Sequence, residues 1–192
     1  MPRTRLIAQA GVIAAVYAAF TLVVLQVPGG LGYGPVQLRL SEALTVVACL
    51  TPAAVPGLAL GSVVANAFMV AQLGAVALID VVFGSLATLL GAAWSWRHRK
   101  RPLVALAGPV AANALIVPAY LPVMLASLGY YQVPSLGLDA GGTWLGMYAF
   151  GVVTVGLGQG IVLYGLGLPL LAALKRLGLE RLADARGRRG TS

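Results

Sequence analysis

The chain has 192 residues but only five acidic ones, and two of these, Glu42 and Asp80, lie inside apolar sequence. An ionisable side chain placed at membrane depth costs about 2.5–3.5 kcal/mol on insertion scales, so each is a functional residue by default. Arg39 stands three residues before Glu42, a spacing that puts both on one helical face. Two readings are open: an internal ion pair that satisfies itself, or charges lining an outward-opening cavity that binds a polar ligand. Asp80 falls in AVALIDVVFGSLATLL, roughly 9 Å into its segment at 1.5 Å per residue. A partner or ligand must lie close to it there. Gln37, Asn66, Asn113, Tyr120, Tyr130, Tyr131, Trp144, Tyr148 and Gln159 could join these charges. For any one amide an interhelical hydrogen bond explains it as well, and for Tyr130, Tyr131 and Trp144 so does interfacial anchoring. Asn66, Asn113 and Gln159, however, come from three different segments. Convergent amides with carboxylates and aromatic faces suit a planar nitrogen heterocycle better than a sugar, a lipid or a bare ion.

Other chemistries lack their residues. There is no GxxxxGK[ST] phosphate loop, no HExxH, no Ser-His-Asp set and no cysteine pair. Cys49 is the lone cysteine, inside an apolar run, and reads as core packing. His98 is the lone histidine, amid arginines, and reads as solvated. The chain is therefore expected to be no enzyme, to bind no metal or cofactor, and to hydrolyse no ATP by itself.

The elements that must hold these residues are membrane spans. With 59% hydrophobic and 9% charged residues and a mean hydropathy of +0.91, the composition excludes an ordinary soluble domain, where about a quarter of residues are charged. The net charge of +8 could suggest nucleic acid, but every basic residue except Arg39 sits in one of three clusters flanking apolar segments. That distribution marks cytoplasmic ends and argues against a nucleic-acid partner. Residues 6–27 form a first span, too long for the apolar core of a signal peptide. A glycine-rich loop, GGLGYGPVQLRL, follows. Residues 41–70 are broken by TPAAVPG, which predicts two short helices joined by a proline turn. Residues 74–96 and 103–128 are the fourth and fifth spans, the latter kinked by Pro109, Pro118 and Pro122, whose freed carbonyls need partners. Residues 143–174 are too long for one straight span and predict a kink or an interfacial first turn. Six spans place Arg3, Arg5, the cluster 97–101 and the tail from Lys175 on one side, the cytoplasm; five or seven do not. The fold class is thus an all-α membrane protein of six transmembrane helices with both termini cytoplasmic. Residues 1–176 make the membrane domain, and 177–192 a basic cytoplasmic tail.

In the first span Ala10, Ala14 and Ala18 form one row of small residues, and Gly11, Ala15 and Ala19 a second. Such rows let another helix approach closely, either a partner's or one of the chain's own.

Six motifs along the chain, QLRLSEALT at 37–45, TPAAVPGL at 51–58, VAN at 64–66, DVVFGSLATLL at 80–90, NALIV at 113–117 and GLGLPLL at 165–171, resemble the QueT family. These are the queuosine-precursor substrate-binding (S) components of energy-coupling-factor (ECF) transporters. The resemblance runs from about residue 6 to residue 176; the family pattern carries an acidic residue where this chain has Gln159. It implies a six-helix S component in the plasma membrane that captures queuine or another 7-deazaguanine from outside. Its implied partners are a transmembrane coupling protein and two cytoplasmic ATPases. S components topple in the membrane to release ligand and dock through the alanine face of the first helix. Within that picture Glu42 or Asp80 accepts the guanine-like N–H edge, and Arg39 orients Glu42 or meets the base carbonyl. Gln37, Asn66, Asn113 and Gln159 add amide contacts, and Tyr33 or an aromatic such as Trp144 stacks on the ring. Two alternatives stay open: an S component for another vitamin or nucleobase, and a structural membrane subunit that transports nothing.

Overall fold

The structure, a computed structural model, describes residues 3–25, 39–127 and 144–179. Every element among them is helical: α1 (Arg3–Leu25), a 3-10 helix (Leu40–Cys49), α2 (Ala54–Leu73), α3 (Leu78–Arg97), α4 (Pro102–Ser127), α5 (Trp144–Gly160), a π-helical stretch (Ile161–Gly167) and α6 (Leu168–Arg176). A short 3-10 turn, Ala75–Ala77, leads into α3. Five helices among the described residues are long and apolar enough to cross a membrane, the last running without a break from Trp144 to Arg176. Their outward faces carry large apolar side chains, among them Ile7, Val12, Val82, Leu115, Leu145 and Ile161, each more than half exposed. A continuous apolar exterior of this kind belongs in lipid.

Contacts between the helices fix their directions. Gly57 and Gly61 of α2 lie against Ala10 and Ala14 of α1, so the two helices run parallel. A Cβ on either glycine would come within 2.8 Å of an α1 carbonyl, which is why this GxxxG pair admits no larger residue. The chain returns between them along the 3-10 helix, where Glu42 meets Tyr17 and Thr51 meets Gln9. Helices α3, α4 and α5 then alternate in direction: Ser62 meets Ser85, Ser95 meets Ala105, and Tyr164 meets Leu103. Arg3 and Arg5, the cluster 97–101 and the Lys175–Arg176 pair therefore share one end of the bundle, the basic end.

Two local features decide the interior. The 3-10 helix is ten residues long, well beyond the usual three or four, and its rise of about 2.0 Å per residue carries it roughly 20 Å. Because side chains at i and i+3 eclipse in this geometry, it presents three rows. Val46 and Cys49 face Ala105, Leu106, Leu163 and Leu171, while Ala48 packs with Tyr17, Leu58 and Ala92. Seven of its ten residues are buried, Glu42 and Thr45 among them, and it touches α1, α2, α3, α4 and α6, so it runs through the centre of the bundle. The second feature is the π stretch, a local departure from regular helix within residues 143–174. Pro169 follows it in the first turn of α6 and has no N–H to continue the regular ladder. Gly167 within it lets the helix lie on Val46, which a Cβ would meet at 2.9 Å.

The segment 41–70 departs from the expected pair of short helices. Only its first half is short; Pro56 falls in the first turn of α2, where a missing N–H costs nothing, so α2 runs its full 20 residues. In α4 the carbonyl of Ala105, freed by Pro109, accepts Ser95 Oγ at 2.8 Å.

Candidate binding site

Toward the end remote from the basic clusters, three elements converge on Asp80. Asp80 is in the first turn of α3 and 2% exposed, a position where the helix N-terminus favours an anion. Arg39, just before the 3-10 helix, reaches its Oδ2 at 2.8 Å, and Tyr120 of α4 donates to Oδ1. Asn66 of α2 donates through Nδ2 to the backbone carbonyl of Asp80 at 2.9 Å. Gly84, one turn along, makes this possible, since a Cβ there would strike the carboxylate and press on the Asn66 amide.

Glu42 is fully buried. Tyr17 of α1 donates to its Oε1 at 2.6 Å, and Thr45, eclipsed with it on the 3-10 helix, to Oε2 at 3.1 Å. The charges thus divide differently from the i,i+3 pairing that the sequence suggests: the guanidinium goes to Asp80, across 41 residues of sequence, and hydroxyls hold Glu42. Below them Ser62, Ser85 and Thr88 make a buried hydroxyl cluster between α2 and α3.

The other two amides belong to α4 and α5. Asn113 is 1% and Gln159 2% exposed. Asn113 Nδ2 donates to the carbonyl of Pro109 at 3.1 Å, but neither Asn113 Oδ1 nor Gln159 Oε1 receives a hydrogen bond. Trp144 lies apart from the buried groups. It is half exposed, stacks on Tyr148 at 5.1 Å and donates to the carbonyl of Ala119 at 3.2 Å, beside Tyr120. Tyr33, Gln37, Tyr130 and Tyr131 lie outside the described residues, as does the tail from residue 180.

Sequence reasoning passed over Tyr17, Thr45, Ser62, Ser85 and Thr88. For Thr45 the signal was its i+3 spacing from Glu42, legible only if a 3-10 helix is anticipated. Tyr17 stands alone among small residues and carried no signal of its own. The two rows of small residues on α1 also separate: Ala10, Ala14 and Ala18 are buried, with α2 against Ala10 and Ala14, whereas Gly11, Ala15 and Ala19 are exposed. Among the described residues no cluster of His, Cys, Asp and Glu could hold a metal ion.

Apolar helices of spanning length that enclose an ion pair and amides define a multi-pass membrane protein with a polar interior. The QueT transporter family matches residues 7–176, and the chain belongs to that family; it is a membrane transport protein. No curated protein and no solved structure matches the chain.

Proposed function

We propose that the chain is the substrate-capture (S) subunit of an ECF-type importer in the plasma membrane, taking up a queuosine precursor, queuine or a related 7-deazaguanine. Membership of the transporter family carries this reading, because the matched residues 7–176 contain the whole buried polar network. The described residues contain the network for recognition, and the sequence has no phosphate-binding loop for ATP. A transmembrane coupling protein and two cytoplasmic ATPases supply the work.

The 3-10 helix counts as the second of six crossings, shortened because it runs through protein rather than lipid. Three basic groups at one end of the bundle support cytoplasmic termini, with Asp80 toward the outside. The pocket draws on Arg39, Glu42, Asn66, Asp80, Asn113 and Gln159, and the reading adds Tyr33, Gln37 and Trp144 to these. Docking to the coupling protein falls to the exposed row Gly11, Ala15 and Ala19, since Ala10 and Ala14 are already used against α2.

The test is a thermal-shift or calorimetric titration of detergent-purified chain with queuine, its aminomethyl and cyano precursors, guanine, riboflavin and thiamine. Stabilisation by deazaguanines alone is the expected result. Tight binding of a different vitamin keeps the architecture and overturns the substrate. Folded protein that binds none of them points to a structural subunit.

A further inference from the structure

Glu42 and Asp80 present four carboxylate oxygens, and each already holds a donor: Tyr17, Thr45, Tyr120 and Arg39. The buried side-chain oxygens that hold none, among the described residues, are Asn113 Oδ1 and Gln159 Oε1. Both are at least 98% buried, and folds rarely leave such acceptors unused without a functional reason. The helices that carry them also meet close by. Gly156 of α5 lies against Ala114 of α4, where a Cβ would stand 3.4 Å from that of Ala114. Asn113 adjoins one side of this contact, and Gln159 is one helical turn from the other. Gln159 also stands just ahead of the π stretch Ile161–Gly167, a departure from regular helix that concentrates at functional sites.

We propose that Asn113 Oδ1 and Gln159 Oε1 form the specificity pole of the pocket, accepting two adjacent N–H groups from one edge of a neutral planar heterocycle. The edge that fits is an aminopyrimidinone, whose ring N–H and exocyclic amino group point the same way. Two carbonyl acceptors discriminate against an edge that presents acceptors or a negative charge. Glu42 and Asp80 then shape the pocket through the helices they tie together rather than by meeting this edge. The inference rests on the transport reading above and assigns the residues that read the base within it.

The experiment is isothermal titration of the detergent-purified full chain with 7-deazaguanine and with 7-deazahypoxanthine, which lacks the exocyclic amine. The unsubstituted protein binds 7-deazaguanine about tenfold or more tighter than the analogue, since one buried hydrogen bond is at stake. In Gln159→Met or Asn113→Leu that preference falls below about twofold, at the expense of 7-deazaguanine affinity. The unfolding temperature of ligand-free Gln159→Met does not fall, an outcome that a purely structural glutamine does not give. Equal binding of 7-deazaguanine by the unsubstituted protein and both variants overturns the proposal, as does weaker binding with the preference intact. If a variant does not fold, the unsubstituted protein decides alone: no preference between the two bases overturns the proposal. Folded, unsubstituted protein that binds neither base removes the transport reading, a failure distinct from that of the two amides.

Discussion

The two halves of the polar interior are finished to different degrees. Around Arg39, Glu42 and Asp80 every carboxylate oxygen meets a donor from another residue, whereas two amide oxygens, one on α4 and one on α5, meet none. The difference follows from cost. A neutral acceptor left unpaired in the interior costs about 1–3 kcal/mol, while a buried charge stripped of its partner costs about 3–5 kcal/mol. A fold of ordinary stability can hold the first in reserve for a ligand and must settle the second internally. The carboxylates therefore join helices, and the amides are the groups proposed above for recognition.

The contrast is broken most directly at Asp80. Asp80→Ala removes the acceptor from Arg39 and Tyr120 together, and thermal unfolding in detergent should show a loss of about 3–5 kcal/mol. Replacing both charges, as Arg39→Met with Asp80→Leu, should recover much of that loss, because neither member of the pair is then left buried without the other. An Asp80→Ala protein as stable as the unsubstituted one would sink the claim that this end is held by its charges. Tyr17→Phe is the next largest. It deletes one donor to Glu42, and a hydrogen bond to a charged group is worth about 1.5–3 kcal/mol, measurable as a shift in the same unfolding curve. Gly61→Val follows, since its Cβ meets the Ala14 carbonyl at 2.8 Å and overpacking of this kind costs about 1–3 kcal/mol. Gly11→Ala on the opposite face has nothing within 4 Å and should leave unfolding unchanged, so the pair separates the face of α1 that packs within the chain from the face that is exposed.

Composition and the positions of Pro, Gly and Arg were enough to read the helical class, the ends of most helices and the candidate charges. Partner choice was not readable. The i,i+3 spacing of Arg39 and Glu42 is compatible with a local pair, and only the packing of α3 against the 3-10 helix brings Asp80 to the guanidinium, as that of α3 on α4 brings it Tyr120. The length of α2 is not legible because Pro56 reads locally as a break, whereas in the fold it sits in a first turn. The 3-10 geometry of Leu40–Cys49 is not legible for a related reason: nothing local in its sequence forbids an α-helix there. The Asn113 and Gln159 pair was visible as residue types, yet its lack of donors depends on what α4 and α5 leave out of reach.

The smallest effect is the sharpest for the comparison, and it sets two asparagines against each other. Asn66 donates to the Asp80 carbonyl at 2.9 Å and also contacts Ser62 Oγ at 3.4 Å, so Asn66→Leu should lower stability by about 0.5–1.5 kcal/mol for the closer bond alone. Asn113→Leu loses a single amide donor to the Pro109 carbonyl, but it also removes an acceptor whose desolvation nothing offsets. The two terms oppose, and the ligand-free protein should unfold within about 0.5 kcal/mol of the unsubstituted chain. Two buried asparagines that each donate through Nδ2 would then differ in that the Asn113 oxygen is buried without a donor. Equal losses in the two variants would mean that the Asn113 oxygen is paired after all, and that the two halves of the interior are finished alike.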